Sequence, residues 1–172
     1  MTTRRKDIRI LTISVSNTRT TAHDESGQLL QQLLREAGFT LLPHLVLRTE
    51  ESYIQDRLRQ AASDNEAECV IFVGGTGIGQ HDITPEAVEG VLEKRIEGFG
   101  EAMRRLSFEQ VGPFGMLTRA TAGLLQQCVV FVIPSRPNAV RLGAEKLIVP
   151  VLEHMVDLAL GRASVLPPPP YV

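Results

Sequence analysis

Two kinds of apolar pattern alternate along the chain. Short runs rich in β-branched residues, Ile8 to Val15, Cys69-Val70-Ile71-Phe72-Val73 and Cys128-Val129-Val130-Phe131-Val132-Ile133, are bounded by polar or glycine-containing segments and predict strands. Between them, apolar residues recur at helical spacing. Leu29, Leu30, Leu33 and Leu34 predict a helix from Ser26 to Ala37 with Gly38 as its stop, and Ile54, Leu58 and Ala61 predict another from Ser52 to Ala62. Leu41 to Leu47 reads as a second strand, short or at a sheet edge because of Pro43. Downstream, Ala87, Val88, Val91 and Leu92 place a helix over Pro85 to Arg95, which Gly98-Phe99-Gly100 interrupts. Glu101 to Phe108 adds a helical turn or two, Val111-Gly112-Pro113-Phe114-Gly115 reads as loop, and Thr118 to Leu125 as helix or irregular chain. A long amphipathic helix follows from Asn138 to about Leu160, with a kink or break expected at Pro150.

Strands alternating with helices imply an α/β fold with a mostly parallel sheet covered on both faces. Ligands of such sheets sit beyond the carboxyl ends of the strands. That rule gathers the loops Ser16 to Ser26, Arg48 to Ser52, Gly74 to Thr84 and Pro134 to Asn138 at one edge. They carry Ser16, Asn17, Thr18, Arg19 and Asp24; Thr49, Glu50 and Glu51; Asp82 with the glycine backbone; and Ser135, Arg136 and Asn138. Polar donors with carboxylates suit a phosphorylated ligand, with Mg²⁺ as a fitting companion.

The third loop, Gly74-Gly75-Thr76-Gly77-Ile78-Gly79-Gln80-His81-Asp82, runs into Ile83-Thr84-Pro85-Glu86-Ala87. Glycines allow positive φ and close backbone approach, and the following helix start offers free N–H groups to an anion. Asp82 sits awkwardly in such a cradle. A carboxylate about 4 Å from a phosphate is opposed by roughly 4 kcal/mol at an effective dielectric of about 20, against about 0.3–1 kcal/mol returned by a helix N-terminus. Asp82 therefore either holds a divalent metal or faces another part of the ligand. The plainer reading is a capped turn, with Thr84 as N-cap and Pro85 at the first helical position; it explains Asp82 to Glu86 and leaves the glycines unexplained. Two familiar fingerprints are absent, because Gln80-His81 stand where a P-loop needs Lys and Ser or Thr, and Gln80 breaks the dinucleotide G-x-G-x-x-G. Structural readings also exist for the other loops: Ser16, Asp24 and Ser26 as caps, Glu50 and Glu51 as favourable charge at a helix start, and Asn138 as an N-cap.

Composition narrows the picture. A chain of 172 residues, 43% hydrophobic, supports a full core in one domain, assigned to residues 1–166, with the tail Pro167-Pro168-Pro169-Pro170 in the extended segment 167–172. A net charge of −2, mixed in sign along the sequence, argues against nucleic-acid or anionic-membrane binding. Cys69 and Cys128 both begin apolar runs and read as buried free thiols in a reducing compartment. The histidines share no ligand spacing with them, so a zinc site is not expected. With no signal-like or membrane-length apolar run, a cytoplasmic protein is expected.

Several motifs together resemble the MogA/MoaB family of molybdenum cofactor biosynthesis proteins. They are Leu11-Thr12-Ile13-Ser14-Val15-Ser16-Asn17-Thr18-Arg19, Ser26-Gly27, Gly74-Gly75-Thr76-Gly77 with Asp82-Ile83-Thr84-Pro85-Glu86-Ala87, Gly98-Phe99-Gly100-Glu101, Leu106-Ser107 and Thr118-Arg119-Ala120. Met103-Arg104-Arg105-Leu106-Ser107-Phe108-Glu109 resembles the MoaB branch more than the MogA branch. The resemblance implies a three-layer α/β/α sandwich, the molybdopterin-binding fold, assembled as a homotrimer or homohexamer and working with other molybdenum cofactor biosynthesis proteins. It also implies binding of molybdopterin and, in active members, Mg²⁺- and ATP-dependent transfer of AMP onto its terminal phosphate. By the same resemblance Gly75, Thr76 and Gly77, with Gly74 and Ile78 beside them, form the ligand loop, and Asp82 matches the family's functionally important aspartate, a catalytic role that agrees with the Mg²⁺ or transition-state role read from the loop itself. Ser16, Asn17, Arg19, Ser135, Arg136 and Asn138, gathered by the strand-end rule above, complete the expected substrate site. Two departures stand out. Where MogA-type members carry an aspartate after the second strand, this chain has Thr49 followed by Glu50, which becomes the second catalytic candidate. Where a Pro-Gly-Ser motif usually ends the last strand, Pro134-Ser135-Arg136 puts serine in place of glycine, restricting the backbone there. Three functional readings follow: a molybdopterin adenylyltransferase, a non-catalytic molybdopterin-binding homologue or scaffold, and a nucleotide- or phosphate-sensing regulator.

Overall fold

The computed structural model describes residues 4–162; the end of the expected domain and the proline-rich tail lie outside them. The sheet has seven strands: β1 (Arg9–Val15), β2 (Thr40–Leu41), β3 (Leu45–Leu47), β4 (Cys69–Val73), β5 (Lys94–Arg95), β6 (Thr121–Leu125) and β7 (Cys128–Ile133). Their order is β2-β1-β4-β7-β6-β5, with β3 also beside β1. β1 pairs parallel with β2, β3 and β4, and β4 with β7, whereas β6 runs antiparallel to both β7 and β5. The helices are α1 (Glu25–Glu36), α2 (Glu51–Ser63), α3 (Thr84–Glu89), α4 (Glu97–Val111), α5 (Pro137–Leu142) and α6 (Val149–Ala159).

Side chains of a strand alternate between faces, so a strand covered on both sides must be apolar at nearly every position. Cys69, Ile71 and Val73 of β4, with Val129, Phe131 and Ile133 of β7, join Leu30, Leu34, Phe99, Met103, Val140, Ile148 and Leu152 from α1, α4, the α5–α6 region and α6. Val70 and Phe72, with Val130 and Val132, join Ile54, Leu58, Ala61, Ala87 and Val88 of α2 and α3 on the other face. The result is three layers. Phe72 and Phe131 are fully buried on opposite faces, each burial being worth roughly 1.5–3 kcal/mol, and Phe131 packs at 5.0 Å from the Phe99 ring.

The structure corrects the expected elements at five places. Proline has no N–H for a ladder, and the strand expected over Leu41 to Leu47 is divided around Pro43 into β2 and β3, which pair with successive parts of β1. The helix expected to Arg95 ends at Glu89, and Lys94–Arg95 instead pairs with β6, helped by Glu93 N–H to Leu124 O (2.9 Å) and Ile96 N–H to Ala122 O (2.8 Å). Gly98-Phe99-Gly100 does not interrupt anything: it lies in the first turns of α4, where a Cβ at Gly100 would come 2.6 Å from Ala120 O. Gly100 serves close packing rather than helix breaking. The segment Thr118 to Leu125 contains strand β6, whose Gly123 lets β5 approach, since a Cβ there would lie 2.2 Å from Lys94 O. Finally, no break falls at Pro150: helical residues run from Pro137 to Ala159, with Gly143–Ile148 in π turns and Val149 N–H reaching back to Ala144 O, immediately before the residue that lacks a donor.

Candidate functional site

Strands β1, β4 and β7 are neighbours, so Ser16, Gly74 and Pro134 leave the sheet side by side. Gly74 N–H bonds Ile133 O at 2.9 Å, one step beyond β4. Its φ is +98°, and a Cβ would meet Val15 O at 3.1 Å; only glycine relieves both constraints. Gly75 (φ +64°) lies over Thr84, whose Oγ1 would be 2.2 Å from an added Cβ. The loop then turns so that Asp82 folds back over it. Asp82 Oδ2 accepts the Gly79 N–H at 2.9 Å, and Cβ atoms on Gly77 or Gly79 would lie 2.7 or 2.8 Å from that oxygen. Of the glycines that a simple turn left unexplained, Gly77 and Gly79 make room for the Asp82 carboxylate, whereas Gly74 and Gly75 answer to positive φ and to Val15 O and Thr84.

A cleft of about 680 Å³ opens at this edge. Gly75, Thr76, Gly77 and Asp82 line one side and Ser135, Arg136, Pro137 and Asn138 another. Ser107, Gln110, Val111, Phe114, Gly115, Leu117 and Thr118, from the end of α4 and the 3-10 segment Gly112–Leu117, supply a mainly apolar wall. Sequence reasoning missed that wall by reading residues 111–115 as loop. The available signal was Phe114 and Val111 close together in a glycine- and proline-containing connection; in the fold they are exposed by 76% and 50%.

The other expected site residues fall elsewhere. Gly74 is buried behind the loop, and Ile78 projects at its tip, 74% exposed. Ser16, Asn17, Arg19 and Glu50 are not among the residues lining the cleft. The Ser16 hydroxyl accepts the N–H groups of Thr18 and Arg19, both at 3.2 Å, and the Asn17 side-chain carbonyl accepts Thr49 N–H at 2.9 Å. Glu50 is exposed and accepts the Ser52 hydroxyl. Arg19 donates to Asp24 at 3.2 Å and to Ser26 at 3.1 Å, and the Ser26 hydroxyl donates to Ser135 O, so this arginine supports the cleft from behind. Two capping expectations are also corrected. Ile83, not Thr84, precedes α3, and Arg136, not Asn138, precedes α5; in both cases Pro near the helix start fixes the entry. With α3 only six residues long and Thr84 N–H given to Gly75 O, a helix terminus adds little to anion binding here.

A buried polar chain underlies the β1 side of the site. Asp24 caps α1 by accepting Gly27 N–H at 3.1 Å, and its other oxygen lies 2.8 Å from His44 Nε2. His44 Nδ1 is 2.8 Å from the Thr12 hydroxyl, which also accepts from Gln31 at 3.0 Å. Burial pushes the Asp24 carboxyl up, but the nearby Ser14 hydroxyl, with the hydrogen bonds from His44 and the Gly27 amide, outweighs it and holds the group below its ordinary value.

No group of three or more His, Cys, Asp or Glu residues among the described ones is arranged to hold a metal. Asp82 is the single carboxylate in the cleft lining. That donor set fits Mg²⁺, which commonly takes one or two carboxylates and completes its shell with water and substrate phosphates. No helix of the described residues is long and apolar enough to cross a membrane.

Comparisons with known proteins agree with this architecture. Residues 9–154 match a family model described as "Probable molybdopterin binding domain". The chain is 40% identical over 151 residues to molybdenum cofactor biosynthesis protein B of Bacillus cereus, covering 87% of this chain and 89% of that one. A crystal structure of a molybdenum cofactor biosynthesis protein B superposes with a TM-score of 0.88 at 37% identity, covering 93% of this chain and all (100%) of the other. The tungsten cofactor synthesizing protein MoaB of Pyrococcus furiosus superposes with a TM-score of 0.78 at 31% identity, over 88% and 96% of the two chains.

Proposed function

Because this chain belongs to the molybdenum cofactor biosynthesis protein B family, we propose that the cleft binds molybdopterin and adenylylates it with Mg-ATP. The observation that carries the reading is the Asp82 carboxylate, folded over Gly77 and Gly79 in a cleft whose other sides carry Arg136 and the Phe114–Val111 wall. The apolar wall suits the planar pterin, while Arg136, Ser135, Asn138 and the Gly75 to Gly77 backbone suit phosphate. Asp82 would hold Mg²⁺, whose charge offsets that of the phosphates. In the reaction a molybdopterin phosphate oxygen bonds to the α-phosphorus of ATP and pyrophosphate leaves with the bridging oxygen. The protein's part is alignment of the two anions and exclusion of water. Glu50, the second catalytic candidate, lies outside this cleft and accepts the Ser52 hydroxyl. The family resemblance further supports a homotrimer or homohexamer in the cytoplasm, in contact with other proteins of the same pathway.

The test is AMP transfer to molybdopterin by the purified protein. Asp82→Asn should lower the rate by about 100-fold or more, with molybdopterin still bound; full activity in that variant would remove the role given to Asp82. A second reading, a binding protein without transfer activity, is favoured by exposed Glu50 and by Ser135 in place of glycine. Tight molybdopterin binding without any ATP turnover by the wild-type protein would select it.

A further inference from the structure

The residue that shapes the glycine loop does not lie in the cleft. Arg119, just before β6, gives its backbone N–H to Thr76 O at 3.0 Å and its Nε–H to Gly77 O at 2.7 Å. Its two terminal nitrogens donate to Asp82 O and to the Glu86 carboxylate. One side chain therefore ties the start of the loop, its end and the helix after it. The guanidinium lines a second cavity, of about 400 Å³, with Glu86, Arg104 and Pro85, and is not among the residues lining the cleft. We propose that Arg119 is a positioning residue that holds the Gly75 to Asp82 backbone in its ligand-ready shape from behind, without touching ligand.

Geometry explains why the residue is arginine. The loop contains glycines that favour many conformations in the free state, and its internal support is the pair of Asp82–Gly79 contacts. Carbonyls of Gly77 and Asp82 are met by a planar fork whose donors point in fixed, separate directions, whereas a lysine ammonium concentrates its donors at one point. The Glu86 partner offsets the cation's charge, so the effect of Arg119 on an anionic ligand runs through backbone shape more than through long-range attraction. Because Asp82 is aimed by the same turn that Arg119 pins at Asp82 O, releasing the fork frees the carboxylate as well.

The consequence for molybdopterin rests on the function proposed above; the consequence for the loop does not. Both are read on the full chain with Arg119→Ala and Arg119→Lys. In the ligand-free protein, amide hydrogen exchange in residues 76–83 should quicken by about tenfold or more in both variants, with β4 and β7 unchanged. Molybdopterin affinity should fall by about tenfold to a hundredfold. Methylguanidinium at millimolar concentration should restore both properties to Arg119→Ala, and methylammonium should restore neither. Wild-type loop protection and affinity in Arg119→Ala would overturn the proposal, as would equal rescue by the two cations. If Arg119→Ala does not fold, wild-type loop protection in Arg119→Lys overturns it equally. If the wild-type protein itself fails to bind molybdopterin, the functional reading falls, and loop exchange with its methylguanidinium rescue still decides the role of Arg119.

Discussion

Asp24 shows how much structural work one buried carboxylate does beside the site. It is fully buried, caps α1, and meets both Arg19 and His44. The fit is tight enough that a Cβ on Gly27 would lie 2.2 Å from His44 Nε2 and 2.5 Å from Asp24 Oδ2. Asp24→Asn should therefore cost about 3–5 kcal/mol at neutral pH, the usual result of removing one partner from a buried pair. The pH dependence has a definite sign. With the folded carboxyl held below its ordinary value of about 3.9, its contribution is complete above that pH and is lost as pH falls through the lower folded value. Urea titrations at descending pH should show the gap between wild type and Asp24→Asn narrowing below about pH 4. A gap that stays constant to pH 2 would contradict the assignment. At this scale the sequence offered Asp24 as a helix cap alongside Ser16 and Ser26, while His44, an isolated histidine beside Pro43, offered no sign of its partner 20 residues earlier.

At the scale of elements, the apolar wall of the cleft depends on how the 3-10 segment folds back against α4. Gly115 makes that possible, because a Cβ there would come 2.4 Å from Phe108 N and 2.6 Å from Ser107 C, backbone atoms that cannot swing aside. Gly115→Ala should destabilise the protein by about 1–3 kcal/mol, the range for overpacking, and should weaken molybdopterin binding by moving Phe114 and Leu117. Chemical denaturation alongside ligand titration checks both, and an unchanged unfolding midpoint would show that the segment yields easily. The legible elements were those with a strong period. β1, β4 and β7 announced themselves because both faces are covered, and α1 and α2 because each buries one stripe. β5 and β6 were hidden because Lys94–Arg95 is exposed and Gly123 is chosen for the approach of a neighbouring backbone, neither of which leaves a hydrophobic pattern.

For the molecule as a whole, the cysteines report on the integrity of the three layers. Cys69 and Cys128 lie on the adjacent strands β4 and β7, in opposite core faces. Burial pushes the Cys69 thiol well above its ordinary value and Cys128 up to about 12, so neither forms the reactive thiolate at neutral pH. Thiol reagents at pH 8 should leave the native protein unlabelled and modify both cysteines at the rate of global unfolding; fast labelling of either would mean that the sheet opens locally. From the sequence alone came the α/β class, the strands of the sheet centre, the loops gathered at one edge, and the glycine segment with its odd aspartate, all of them carried by local period and composition. What only the tertiary structure decided was membership of the cleft: Ser135, Arg136 and Asn138 join Asp82, Glu50 and the Ser16 to Arg19 loop do not, and Val111, Phe114 and Leu117 with their neighbours do. The physical reason is that periodicity reports which side of an element is buried, whereas a site is made by directions and distances between elements far apart in the chain. Asp82 itself illustrates the division, since its neighbours Gly77 and Gly79 are local, but the arginine that fixes their turn lies 37 residues downstream.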